Sequence, residues 1–184
     1  MKQLINWNEE KKYNIDQLLW GTTYNPLPYC QLVYKENVAL YIHMFVYEKN
    51  PRAIYKHPNE PVYKDSCLEC FFNMNPKQNS YLNIEVNANG VVLMGFGPER
   101  YKRKAIVPSF KPVAYKNEEG WGFVLKIPEN FLIDLFKEIE DQWKANFFKC
   151  GDDCEYEHYL SWSPIHYPEL NFHRVDCFGD LFVK

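Results

Sequence analysis

The sequence has no strong charge of either sign: its formal net charge is −3 over 184 residues. That excludes the broad basic field by which proteins gather nucleic acid or anionic membrane. No apolar run approaches the ~18 residues of a membrane span. The opening residues, MKQLINWNEEKKYNID, are polar and lack the apolar core of a secretory signal, so the chain as written is expected in the cytoplasm. No G-x-S-x-G, phosphate-binding loop or HExxH is present, which removes the readiest hydrolase, nucleotide and zinc-protease readings. There is no internal repeat and no low-complexity segment.

What is abundant is aromatic. Tyr, Phe and Trp make up 17% of the chain, more than a small core needs, as in a β-rich fold with aromatic surfaces. The length predicts one domain over residues 1–184. Six cysteines are present, but a domain of this size does not require disulfides. Cys67 and Cys70 sit at odd spacing, so on one strand they face opposite ways and cannot share a metal. Cys150, Cys154 and His158 form a C-x3-C-x3-H run that could hold zinc with a fourth ligand; the spacing is not a standard one, and unpaired loop thiols are the simpler reading.

The pattern along the chain is short strands joined by turns. Strands are predicted at 30–34, 38–47, 66–73, 81–87, 91–96, 111–116, 121–127, 143–150 and 178–183. In the second, Val38, Leu40, Ile42, Met44 and Val46 alternate with Ala39, Tyr41, His43, Phe45 and Tyr47, so both faces are covered and the strand is central. Three prolines, Pro51, Pro58 and Pro61, make 49–61 a loop. Residues 99–104 read as a charged, solvated turn. One helix is predicted, near 128–140: Pro128 suits its first turn, and Phe131, Leu132, Leu135, Phe136 and Ile139 form its apolar stripe. Together these predict an all-β fold, an antiparallel two-sheet sandwich with one short helix.

The hairpin of 66–73 and 81–87 carries the chemical information. Leu82, Ile84 and Val86 share one face with Leu68, Cys70 and Phe72 of its partner across the sheet. Glu69, Asn83 and Glu85 share the other, beside Phe71 and Tyr81. By pattern alone this is a solvated face. Its composition suits a second role: acids and amides accept and donate in pairs, and aromatics give flat platforms, as a polyhydroxylated ligand requires.

Two groups of motifs then carry a resemblance. One is Asp65-Ser66-Cys67-Leu68-Glu69-Cys70-Phe71, followed by Tyr81-x-Asn83-x-Glu85-x-Asn87 and Gly90. The other is Asn146-Phe147-Phe148-Lys149-Cys150-Gly151, then His158-Tyr159-Leu160-Ser161-Trp162-Ser163-Pro164, Phe172-His173-Arg174 and Phe178-Gly179. In this order they resemble stand-alone relatives of the family 9 carbohydrate-binding modules, known from xylanases, within the wider DOMON-like group of β-sandwiches. The resemblance implies a mono- or oligosaccharide held between two aromatic side chains, usually Trp. Tyr63 and Phe172 fall at those two places. It implies polar contacts from Glu69 and from the next strand, at Asn83 and Glu85, and an arginine contact for which Arg100 and Arg174 are the candidates. It also implies that structural calcium could be held, with no ligands apparent here.

Other residues have plainer readings. Trp162 reads as a core anchor, His158 and His173 as hydrogen-bonded structural histidines, Lys64 as solvated, and Asp65 as a tie for its own backbone. Two further functions stand as alternatives. Some DOMON-like sandwiches carry haem for electron transfer between Met and His, and His43, Met44 and Met94 are present; adjacent His43 and Met44 point to opposite faces, so at most one enters a pocket. Glu69 and Glu85 on neighbouring strands could pair as the carboxylates of a glycoside hydrolase.

Overall fold

A computed structural model describes residues 5–183; the first four residues of the polar N-terminal segment and Lys184 lie outside the described residues. The chain forms two antiparallel sheets and one short helix. The smaller sheet runs, in spatial order, β1 (Tyr13–Asn14), β3 (Tyr29–Lys35), β4 (Ala39–Val46), β10 (Trp121–Pro128) and β9 (Val113–Lys116). The larger runs β2 (Gln17–Leu18), β12 (His158–Ser161), β11 (Gln142–Gly151), β5 (Cys67–Asn73), β6 (Tyr81–Asn87), β7 (Val92–Gly97) and β8 (Lys104–Ile106). A last strand, β13 (Gly179–Phe182), also pairs with β11.

Alternation builds the core. Leu40, Ile42, Met44 and Val46 of β4 and Trp121, Phe123, Leu125 and Ile127 of β10 face inward from the smaller sheet. They meet Leu68, Cys70 and Phe72 of β5, Leu82, Ile84 and Val86 of β6, and Phe147 of β11. Every one is 1% exposed or less. Burying a side chain of this kind contributes about 1.5–3 kcal/mol, so this layer dominates the stability. The long strand at the centre of the smaller sheet is covered on both faces, as its pattern predicts. Outside it, His43 bonds Gln31 at 2.8 Å and the Tyr115 hydroxyl at 2.6 Å, with Trp7 packed 5.1 Å away.

The helix, α1 (Glu129–Phe136), is shorter than the apolar stripe predicts. Pro128 is the last residue of β10, not the first of the helix. Lys137 then takes a positive φ of 66° and its amide closes the helix on the Ile133 carbonyl at 2.8 Å. Ile139 still packs on the core, which is why the stripe looked longer. Strands β1, β2, β8 and β12 were not expected. The first three have two or three residues each, too short to show a period, and β12 is four residues long. No described helix is long and apolar enough to cross a membrane.

The outer face of the larger sheet carries a second apolar cluster. Phe71 of β5, Tyr81 of β6 and Phe148 of β11 are covered there by Leu19, Val62, Ile165, Phe172 and Phe178 from the surrounding loops. Trp162 packs instead toward the inner core, 5.2 Å from Phe147 and 5.3 Å from Tyr13.

The loop coverage is fixed by Asp65, which is fully buried. Its Oδ1 accepts from Arg52 Nη1 at 2.5 Å. Its Oδ2 accepts from the amides of Ile54 and Tyr55 at 2.9 and 3.0 Å and from Asn87 Nδ2 at 2.9 Å. Asp65 thus ties down the proline-bearing loop and the end of β6, rather than its own backbone. Removing one partner of a buried pair typically costs about 3–5 kcal/mol, because the other charge is left uncompensated. Asp65→Ala is therefore expected to lower the unfolding free energy by about that amount. Asp153→Ala, which touches the same arginine from an exposed position, should cost no more than about 1 kcal/mol. Urea unfolding of both variants tests the contrast; equal costs would show that Asp65 is not the anchor.

Candidate functional site

The loops over the larger sheet leave one part of its outer face open. The result is a cleft of about 210 Å³ whose floor is Glu69 and Glu85. The two carboxylates are directly opposed residues of β5 and β6. Opposed side chains on one face stand about 4.5–5.5 Å apart at Cβ, so the acids lie side by side. They are 2% and 4% exposed. Among the described residues neither has an ion-pair partner within 4.0 Å. Glu69 Oε1 accepts from the Cys150 thiol at 3.0 Å, and Glu85 Oε1 accepts from Asn83 Nδ2 at 2.9 Å. Burial pushes both carboxyls up, Glu69 well above the usual range with Glu85 adding to it, and Glu85 to about 7 against the pull of Arg103.

The rims come from three loops. The short 3-10 turn Val62–Lys64 precedes β5 and presents Tyr63, half-buried, at the cleft. That turn is docked on the loop after β11: the Asp152 amide donates to the Tyr63 carbonyl at 3.2 Å, and the Asp153 amide to the Lys64 carbonyl at 3.1 Å. Asp152 lines the same cleft, its carboxyl raised to about 6 by burial and then by Asp153 and Glu157. At the opposite end of the sheet, the turn between β7 and β8 folds back over the floor with Arg100, Tyr101 and Arg103. Tyr101 is 90% exposed, with Arg100 5.7 Å from its ring centre. The third rim is Leu170, Asn171, Phe172 and His173.

Five residues singled out in the sequence therefore meet at one cleft: Tyr63, Glu69, Glu85, Arg100 and Phe172. Phe172 contributes little open surface. It is 9% exposed, stacked on Phe148 at 4.2 Å and 10°, with Trp20 5.6 Å away. Asn83 does not reach the cleft. It is fully buried, bonding Glu85 with its amide nitrogen and accepting from Arg103 with its oxygen, so it positions two cleft residues instead. Arg174 is a correction. Its guanidinium binds Asp176 twice, at 3.1 and 2.9 Å, and lies 3.3 Å over the Tyr167 ring, away from the cleft.

Arg103 and Tyr101 were missed, because 99–104 reads as a solvated turn. The available signal was an arginine- and tyrosine-rich turn directly after a strand ending Gly95-Phe96-Gly97. Gly95 faces Asn83 across the sheet. A Cβ at Gly95 would lie 2.8 Å from Asn83 Oδ1 and 3.3 Å from Arg103 Nη1, so only glycine leaves room for the guanidinium there.

The other candidate ligand sets also have definite places. His158 bonds Lys149 Nζ and the Tyr156 carbonyl, both at 2.6 Å, so both ring nitrogens are engaged and the C-x3-C-x3-H run does not converge on a metal. Cys150 is a buried strand residue, not a loop thiol, and all six thiols are free. His43 likewise has both nitrogens bonded, while Met44 and Met94 are in the core, an arrangement that gives haem no axial pair. Calcium takes six to eight oxygen ligands. Among the described residues, the group of three metal-ligating side chains that comes together is Cys67, Glu69 and Cys150, whose two sulfurs do not suit it.

The sequence profile of carbohydrate-binding family 9 matches residues 1–183. The chain belongs to that family. Among solved structures, a protein of Bacteroides uniformis named as a candidate carbohydrate-binding protein superposes with a TM-score of 0.81. It shares 26% identity, over 95% of this chain and 87% of its own. No curated protein sequence matches.

His173 gives this rim a pH signature. Burial, then Arg103 and Arg100, lower its imidazole to about 2, and Nδ1 shares a 2.8 Å hydrogen bond with the Tyr81 hydroxyl. The unfolded chain takes up this proton near 6.5 and the folded chain does not. Stability from His173 is thus full above 6.5 and is lost as pH falls. Between pH 7 and pH 5 the wild type should lose about 1–2 kcal/mol more than His173→Gln. Urea unfolding at both pH values measures this; parallel losses would mean that His173 protonates in the folded state.

Proposed function

We propose that the protein binds a carbohydrate in this cleft and does not cleave it. One observation carries the reading. In a chain of family 9, carboxylates, guanidinium groups, an amide and the rings of Tyr63 and Tyr101 converge on one cleft over the larger sheet. Sugar hydroxyls both donate and accept. Glu69, Glu85 and Asp152 supply acceptors, Arg100 and Arg103 supply donors, and Asn171 supplies both. Tyr63 and Tyr101 offer the flat faces on which a pyranose ring packs, with Tyr101 taking the part that the packed Phe172 cannot. The volume, below the ~300–1,000 Å³ of drug-sized ligand sites, fits one ring or a chain end.

Glu69 and Glu85 invite comparison with a hydrolase pair. Catalysis there needs one acid and one carboxylate flanking the scissile bond, with environments that push their pKa values apart. Here both rise side by side from neighbouring strands of one floor and do not face each other across the cleft. That supports binding over turnover. No reducing sugar should appear from xylan, cellulose or aryl glycosides at any pH; turnover lost in folded Glu69→Gln would reverse the reading.

The expected affinity is modest. Three or four hydrogen bonds of about 0.5–1.5 kcal/mol net and two aromatic contacts of about 1 kcal/mol, less the ordering cost, give a Kd of roughly 0.05–1 mM. Tyr63→Ala should weaken binding about tenfold, a change of about 1.4 kcal/mol. Glu69→Ala should cost at least as much, since a hydroxyl loses its acceptor. Arg174→Ala should have no effect. Calorimetric titration with soluble mono- and oligosaccharides, in the presence of chelator, reads all three. A sugar whose affinity ignores Tyr63 and Glu69 would place binding elsewhere.

A further inference from the structure

The sugar reading leaves two residues under the cleft without a role. Cys67 and Cys150 are directly opposed on β5 and β11, with their side chains on the cleft side. Glu69 is two residues beyond Cys67 on the same face. The two sulfurs and a Glu69 carboxylate oxygen all lie within 4.8 Å of one another. The three residues are 0%, 1% and 2% exposed, yet Cys150 and Glu69 line the cleft. Donors are therefore enclosed on the sheet side and reachable on the other.

We propose that Cys67, Cys150 and Glu69 form a binding site for a borderline-soft divalent cation of the zinc class, its fourth position opening into the cleft. Two thiolates and a carboxylate match that class and not a hard cation. Zn–S bonds of about 2.3 Å and Zn–O bonds of about 2.0–2.2 Å put tetrahedral donors roughly 3.5–3.8 Å apart. The Cys150 sulfur is already 3.0 Å from Glu69 Oε1. No separation in the trio needs to close by more than about 1 Å. All three backbones are fixed in neighbouring strands, so only side-chain rotation is required. Glu85 adds a second acid beside Glu69, and the cations nearby are engaged elsewhere: Arg103 donates to Asn83, and Lys149 donates to the Cys150 carbonyl and pairs with Glu48. Three protein ligands with one open position is the arrangement of sites that exchange water for another ligand. The thiol protons, and the carboxyl proton where present, leave to solvent as the metal enters, so affinity should rise with pH.

The site does not depend on sugar binding and is measured without sugar. Reduced, chelator-treated protein is titrated with Co2+ and then Zn2+. One equivalent of Co2+ should give thiolate-to-metal charge-transfer absorption and the visible bands of tetrahedral cobalt, both abolished by one equivalent of Zn2+. Cys67→Ser and Cys150→Ser should each lose the charge-transfer band, and Glu69→Gln should weaken binding while keeping it. Cys154→Ser should change nothing. X-ray absorption at the zinc edge of the wild type, which needs no variant to fold, should show two sulfur neighbours. An oxygen- and nitrogen-only shell, no cobalt band, or a band that survives Cys67→Ser would overturn the proposal. If the metal fails but calorimetry with chelator finds a sugar, the binding reading stands alone; the reverse outcome separates them equally well.

Discussion

The site depends on one buried carboxylate that never touches it. Asp65 closes the turn carrying Tyr63 and lies two residues before the strand carrying Glu69. Its oxygens are filled by a guanidinium, two amides and an asparagine. A charge with no exposure is tolerated only with such complete pairing. The pairing in turn forces the proline-bearing loop of 49–61 against the sheet and fixes the end of β6. The first rim of the cleft and two strands of its floor are thereby set by a single group.

With that frame fixed, the outer face of the larger sheet divides into two halves of different chemistry. Where loops cover it, the exposed side of each strand is aromatic: Phe71, Tyr81 and Phe148 pack under Phe172 and Phe178. Where they do not, the same strand positions carry Glu69, Glu85 and Cys150. These groups are costly to bury without partners. A solvated sheet face would have Lys or Thr there and a covered one would have Val or Phe. Near-complete burial of acids that lack an ion-pair partner fits neither kind of face, and it supports the binding role proposed for the cleft.

Much of this was legible in the sequence, for a simple reason. A strand repeats every two residues, so the grouping of Glu69 with Glu85, and of both against Leu68 and Ile84, follows from alternation once the hairpin is recognised. Register and covering loops follow no such rule. Asn83 shares the face of Glu85 by parity, but Arg103 folds over it and seals it from solvent. Arg174 was a reasonable cation for the cleft until Asp176, two residues on, and the Tyr167 ring captured it. Phe172 reaches the cleft as the order of motifs implied, yet Phe148 lies beneath it at stacking distance, which no spacing along the chain reveals. The opposition of Cys67 and Cys150 is of the same kind: 83 residues apart in number, adjacent only because β11 pairs with β5.

Arg100 and Arg103 lie on a turn whose charged composition reads as solvated, and of the two only Arg100 was singled out from the sequence. Arg103 reaches Asn83 because Gly95, on the strand before it, has no side chain to block the path. Asn83 in turn grips Glu85 with its other end. A missing Cβ, a buried amide and a turn therefore act as one unit that brings positive charge to within reach of two acids without neutralising them by direct pairing. Had Arg103 paired with Glu85 instead, the acid would be satisfied internally and would have nothing to offer a hydroxyl or a metal. Because the amide intervenes, the cleft keeps both donors and acceptors, and the proposed binding of sugar hydroxyls rests on this balance rather than on any single residue.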